Sequence, residues 1–266
     1  MKPTALILRT AGTNCDLELA RAFELAGAQT RRVHIHRLFE DPGPLRGCDL
    51  LGLPGGFSYG DDIAAGRILA NYLKHRLMDE LHALIWRGVP VVAPCNGFQV
   101  LVKAGVLPDV PAGEGDAGGG QMSSAGQRAT LADNASGRFI DRWVEVRAER
   151  DSPCVWTRGL GEFELPIAHG EGRFVASGAV LDELESTGRA ALRYVHNPNG
   201  SARDIAGVCD ASGLVLGLMP HPERYLDFTN HPSWTRRPRP TRDEPTPGLR
   251  MFKNAVSHVT GAVAVG

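Results

Sequence analysis

The segment Val91-Val92-Ala93-Pro94-Cys95-Asn96-Gly97-Phe98-Gln99 sets one nucleophile candidate between an apolar run and the start of an apolar-periodic stretch. That is the layout of a nucleophile elbow, a sharp strand-to-helix turn that presents one side chain at the top of a sheet. Unpaired N–H groups at a helix N-terminus favour an anion, so a cysteine placed there is biased towards thiolate, the form that attacks a carbonyl carbon. Without a base, Cys95 would read as a buried strand-end thiol. The base candidate comes late in the chain, in Leu216-Gly217-Leu218-Met219-Pro220-His221-Pro222-Glu223-Arg224, where an apolar run again ends in a polar cluster. An imidazole with an ordinary pKa of about 6.5 can take a thiol proton and later return it to a departing group. Glu223, two residues on, can reach the other ring nitrogen of His221 and hold its tautomer, and Pro220 and Pro222 stiffen the backbone around it.

A third element is Leu53-Pro54-Gly55-Gly56-Phe57-Ser58-Tyr59-Gly60-Asp61-Asp62. Paired glycines after a strand let backbone N–H groups approach a ligand closely. The N–H groups of Gly56 and Phe57, with that of Asn96, are therefore expected to form an oxyanion hole, each donor worth about 3 kcal/mol to a tetrahedral intermediate. A phosphate loop is excluded because no Gly-Lys-Ser/Thr follows. His221-Pro222-Glu223 also fits the His-x-Glu element of zinc deaminases, but that site needs a downstream Pro-Cys-x-x-Cys, and no cysteine follows Cys209.

These side chains need a scaffold. Thr4 to Leu8 reads as a buried strand; Leu19, Ala22, Phe23 and Ala26 then trace a helical face, with Asn14 as N-cap and Gly27 as terminator. Val33 to Ile35 and Asp49 to Leu53 read as further strands. Leucines 69, 73, 77, 81 and 84 predict one helix over 67–87, closed by Gly88, and Val89 to Ala93 predicts the strand that delivers Cys95. Alternating short strands and amphipathic helices imply a doubly wound, mostly parallel α/β sheet, where chemistry gathers at the carboxyl ends of strands. The second half differs. Pro111 to Gly120 is glycine-rich and reads as a loop. Strand-like runs at Arg142–Val146, Phe163–Ile167, Leu192–Val195 and Val215–Met219, with little helix between them, suggest an antiparallel extension. Residues 229–247 carry five prolines and read as an irregular surface excursion, and Leu249, Phe252, Val256 and Val259 support a final helix.

The 266 residues suit a single domain spanning 1–266, and a net charge of -1 offers no general attraction to nucleic acid or an anionic membrane. No run of about 18 apolar residues and no signal-peptide pattern appears, which points to an intracellular, cytoplasmic protein. The five cysteines are scattered and form no Cys-x-x-Cys pair, which argues against a disulfide framework or a zinc knuckle.

Cys95-Asn96-Gly97-Phe98-Gln99 followed late by His221-Pro222-Glu223 resembles the class I, cysteine-triad glutamine amidotransferases, whose fold is flavodoxin-like. Pro54 to Asp61, Ala168-His169-Gly170-Glu171-Gly172-Arg173-Phe174, Asn197-Pro198-Asn199-Gly200-Ser201 and Met219 to Arg224 narrow the likeness to the glutaminase subunits of phosphoribosylformylglycinamidine synthase. The resemblance implies that Cys95, His221 and Glu223 hydrolyse glutamine. It implies that Gln99, His169, Gly170 and Glu171 hold that substrate, the acidic residue near its α-amino group. It further implies a synthetase partner that carries ATP and magnesium, possible assembly through a small bridging subunit, and no metal or cofactor on this chain. A free-standing cysteine hydrolase and a non-catalytic scaffold are the competing classes. Ala93-Pro94 departs from the family, which usually has glycine two positions before the nucleophile. The stretches after Pro108 and Asp227 are longer than the family's compact form.

Overall fold

The computed structural model describes residues 2–109, 127–238 and 244–261; the glycine-rich stretch at 111–120 lies outside them. The strands are β1 (Thr4–Arg9), β2 (Gln29–His34), β3 (Leu50–Gly52), β4 (Val91–Pro94), β5 (Ala129–Asp133), β6 (Ile140–Ala148), β7 (Glu162–His169), β8 (Glu171–Ala176), β9 (Leu192–Tyr194), β10 (Ile205–Cys209) and β11 (Val215–Leu218). The helices are α1 (Asp16–Leu25), α2 (Ile35–Glu40), α3 (Gly43–Arg46), α4 (Arg67–Tyr72), α5 (Met78–Trp86), α6 (Asn96–Ala104), α7 (Gly178–Ser186) and α8 (Pro247–Thr260). No helix among the described residues is long and apolar enough to cross a membrane.

Nine strands form one sheet in the order β2-β1-β3-β4-β11-β10-β9-β6-β7. The first five run parallel, and from β11 onward the neighbours pair antiparallel. Successive residues of a strand point to opposite faces. Leu6 and Leu8 accordingly join the core beneath α4, α5 and α6, while Ala5 and Ile7 join the one beneath α1 and α8. Strands apolar on both faces need helices on both, which makes the sheet doubly wound. On the second face Phe23, Trp156 and Phe252 meet edge to face with centroids 5.1–6.2 Å apart, locking α8 onto α1.

Several expectations need correction. The residue preceding α1 is Cys15, which makes no side-chain cap bond, so Asn14 is not the N-cap. The helix expected over 67–87 is broken into α4 and α5 by a π turn at Leu73–Leu77. The cause lies in the spacing: 69, 73, 77 and 81 advance by four, which drifts off one face of a 3.6-residue helix, and one wider turn re-aligns them. All four leucines are buried as a result. The run at 215–219 is expected in the antiparallel extension, yet β11 pairs parallel with β4. β5, β8, β10 and α7 were not anticipated. The irregular excursion expected at 229–247 falls partly outside the described residues, at 239–243; before that gap His231 is buried against Trp143, with centroids 4.3 Å apart, and Arg237 pairs with Glu164 on β7.

Candidate active site

The parallel pairing of β4 with β11 aligns Pro94 with Leu218, so Cys95 and His221 leave the sheet at the same carboxyl edge. Cys95 is held by its own N–H, which donates to Leu218 O at 2.7 Å. Its backbone is left-handed, φ 49° and ψ −106°, a strained conformation for a residue with a Cβ. The turn is tight enough that a Cβ on Gly97 would stand 2.1 Å from Leu53 O, so only glycine fits there. Pro94 ends β4, where its missing N–H interrupts nothing further along the strand, so the departure at Ala93-Pro94 is compatible with the elbow. The Cys95 Sγ lies 3.6 Å from Ala168 O and 5% of the residue is exposed.

His221 is anchored through its N–H to Pro166 O at 2.9 Å, and its Nδ1–H donates to Glu223 Oε1 at 2.7 Å. That bond places the ring's free nitrogen, Nε2, on the other side. Burial alone would lower the imidazole's proton affinity, but the Glu223 carboxylate, Cys95 and Cys15 together raise it well above the ordinary 6.5. With Nδ1 committed to Glu223, the side chains of Cys15 and Cys95 both lie close enough to interact with the imidazole. The arrangement can hold a proton between a thiol and an imidazole.

Of the three expected oxyanion donors, Phe57 is already committed: its N–H donates to Gly12 O at 2.9 Å. Gly56 and Asn96 remain. Gly56 has φ 132°, and a Cβ there would lie 2.7 Å from Asn14 N and 2.8 Å from Gly12 O, so the close backbone approach requires glycine.

The four residues expected to hold substrate are gathered beside the elbow, each already engaged within the chain. Gln99 accepts from Asn96 Nδ2 at 2.9 Å and donates to Glu171 O at 2.5 Å. The Glu171 carboxylate accepts from Ala65 N at 3.1 Å and pairs with Lys103 Nζ at 3.3 Å. Its charge is thus compensated within the chain, which counts against its being the free anion for an α-amino group. His169 Nδ1 sits 3.0 Å from Asn134 Oδ1, and Gly170 O accepts from Asn134 N at 2.8 Å.

Residue-by-residue reading expects a backbone role for Asn96 and misses how its side chain ties these pieces together. The Asn96 side chain accepts from Ser58 N at 3.2 Å and donates to Asp61 at 3.2 Å, joining the glycine-paired segment to α6. Burial, with Glu171 nearby, raises the Asp61 carboxyl above its ordinary range. A signal did exist: Asn96, Gln99 and Lys103 share one face of α6 at i, i+3 and i+7.

Residues 2–259 match the CobB/CobQ-like glutamine amidotransferase domain. A phosphoribosylformylglycinamidine synthase subunit PurQ of Dehalococcoides mccartyi is 42% identical over 262 residues, covering 96% of this chain and 97% of the relative. That of Treponema denticola is 43% identical over 279 residues, covering 97% and 100%. The chain belongs to the PurQ family of glutamine amidotransferases. The structure of PurLQS from Thermotoga maritima aligns with a TM-score of 0.72 at 30% identity, over 97% of this chain and 99% of that one. The PurQ fold therefore extends over nearly the whole length, including the antiparallel end of the sheet.

His169 offers a pH test of this PurQ-family site. Burial, and secondarily His221, depress its pKa to about 4. The folded protein then binds fewer protons at this ring than the unfolded chain does between about pH 6.5 and 4, so stability falls as pH drops through that window. Between pH 7 and 5 the contribution is about 2 kcal/mol. His221, shifted the other way, acts mainly above pH 6.5. Denaturant titrations at the two pH values should show His169→Gln losing less stability than wild type by about that amount; equal losses would sink the assignment.

Proposed function

We propose that this chain supplies ammonia to a phosphoribosylformylglycinamidine synthase by hydrolysing glutamine at Cys95. Cys95 Sγ attacks the side-chain amide carbon, forming a C–S bond, while the oxyanion is held by the N–H groups of Gly56 and Asn96. His221, oriented by Glu223, passes the thiol proton to the amide nitrogen; the C–N bond breaks and ammonia leaves. Water then attacks the thioester with His221 as base, the C–S bond breaks, and glutamate departs with the thiol restored. Gln99 and the His169–Glu171 segment border the substrate, with Glu171 acting through its backbone and through its pair with Lys103. The observation that most supports this reading is the pairing of β4 with β11, which brings the ends of both chemical motifs to one edge.

Ammonia passes by a protected route to a synthetase subunit, which binds ATP and magnesium and converts formylglycinamide ribonucleotide into formylglycinamidine ribonucleotide. The three-component name of the Thermotoga maritima assembly supports a synthetase and a small third subunit as partners. The complex works in the cytoplasm, and the chain acts in it as one domain over 1–266.

The test compares glutamate release by the purified chain alone with release after adding the synthetase and small subunits, ATP and formylglycinamide ribonucleotide. Turnover should rise by at least about tenfold on assembly, which is about 1.4 kcal/mol of transition-state stabilisation. Undiminished turnover by the chain alone would favour a free-standing hydrolase.

A further inference from the structure

Glutamine brings a positive α-ammonium into the site, and the carboxylate expected to meet it, Glu171, is already paired with Lys103 at 3.3 Å. A second carboxylate stands beside the elbow. Asp61 is half-buried on the segment that follows the paired glycines, and its Oδ1 accepts from Gly66 N at 2.9 Å and from Asn96 Nδ2 at 3.2 Å. Asn96 Nδ2 also donates to Gln99 Oε1 at 2.9 Å, so one amide donor joins the Asp61 carboxylate to Gln99. Among the described residues no cation stands within ion-pair distance of Asp61, and no hydrogen bond reaches its Oδ2. The backbone at Asp61 is left-handed, with φ 52°, a conformation that persists in a residue with a Cβ where the surroundings hold it. Asp61 and Glu171 bring two negative charges to this corner and Lys103 one positive, so one negative charge is left over. Burial raises the Asp61 carboxyl above its ordinary range, Glu171 adds to the rise and Lys103 opposes it. An incoming ammonium would complete the balance.

We propose that Asp61 is the specificity-determining residue for glutamine, its carboxylate receiving the substrate's α-ammonium. Asn96 is the residue after the nucleophile, so a carboxylate bonded to its side chain stands within reach of a glutamine whose amide lies at Cys95. Two donors hold Oδ1 in place while Oδ2 stays open to a charge-assisted hydrogen bond, so little ordering is left to be done when substrate arrives. Lys103 keeps Glu171 from competing for the ammonium, and Ala65 N, which donates to Glu171 Oε1 at 3.1 Å, ties that pair to the same segment that carries Asp61. A compound with the amide but no α-amino group would leave the Asp61 charge unpaired in a half-buried place, which is how the site would reject it. This assignment rests on the glutaminase reading given under Proposed function.

The test uses two pairs of compounds that differ only in the α-amino group: glutamine against glutaramate as substrates of the assembled complex, and the diazoketone analogue of glutamine against its deamino form as alkylating agents for Cys95. Wild type should prefer the amino compound of each pair by about 10–100-fold, in kcat/KM or in labelling rate. Asp61→Asn keeps an oxygen for Gly66 and Asn96 and tolerates the left-handed backbone, so it removes the charge and little else. It should lose nearly all of the preference, through a higher KM for glutamine, while labelling by the deamino diazoketone stays within about twofold of wild type. Glu171→Gln should keep the preference whatever its rate. Equal losses with both members of a pair would reduce Asp61 to a support for Asn96 and overturn the proposal, as would a preference that survives Asp61→Asn but collapses in Glu171→Gln. A wild-type complex that turns over no glutamine would bring down the glutaminase reading and this assignment with it; glutamine turnover with a preference untouched by Asp61→Asn brings down the assignment alone.

Discussion

Cys95→Ala is expected to lower glutamine hydrolysis by at least about 10⁴-fold while leaving the assembled synthetase able to use ammonium salts. The size follows from the division of labour at the site. Under the proposed mechanism Gly56 and Asn96 would still polarise the amide, but no other thiol stands at the elbow: Cys48, Cys154 and Cys209 are buried elsewhere in the core, and Cys15, which borders the His221 ring, precedes α1 rather than α6. Loss of the nucleophile removes the covalent path, leaving only the fraction of catalysis due to binding and the oxyanion donors. Folding should be little changed, because alanine tolerates the left-handed backbone at 95 about as well as cysteine does. Parallel assays with glutamine and with ammonium salts decide the matter. Glutamine-dependent turnover within tenfold of wild type would exclude Cys95 as the nucleophile, and loss of both activities would mean damage to the assembly instead.

His221→Ala should cost about 10³–10⁴-fold in kcat/KM for glutamine, and Glu223→Gln should add a change of pH profile to a smaller loss. Glu223 is the first of the groups that raise the His221 proton affinity against the opposing effect of burial. In wild type these neighbours favour the protonated ring, the form that can donate to a leaving amine, so under the proposed mechanism activity is expected to fall as pH rises through the elevated value. Removing the Glu223 charge lets burial dominate, so the alkaline limb of kcat/KM should move down towards or below the ordinary 6.5. A limb unmoved by Glu223→Gln would mean that the observed 2.7 Å contact does not set the protonation of the base. Selective alkylation of Cys95 gives an independent readout, since His221→Ala should slow it while labelling of Cys48, Cys154 and Cys209 stays the same.

Local chemistry was legible in the sequence wherever one short stretch carries it. The elbow at 91–101 needs only an apolar strand, a turn residue and a helix, all contiguous, and it folds as read. The His221-Pro222-Glu223 spacing is likewise enough to join imidazole and carboxylate, because two residues across a tight turn bring the side chains together. The leucine spacing in 69–84 contains the π turn, since steps of four do not match a regular helix, although periodicity alone predicts one continuous helix. Failures came where a residue's role depends on a distant partner. Phe57 looks like an oxyanion donor until Gly12 O claims its N–H, and Glu171 looks like a free anion until Lys103 neutralises it.

By itself the sequence determined which functional groups the protein possesses and the local geometry that arms each one: a cysteine at a strained helix entry, an imidazole two residues from a carboxylate, and paired glycines after a strand. Only the tertiary structure decided that these lie at one place, that β11 joins the parallel half beside β4, and that Cys15, just before α1, reaches the same imidazole. The reason is physical. Turns, caps and periodicity arise from interactions over a few residues, whereas strand pairing and burial are won collectively among segments far apart, so no single stretch carries their record.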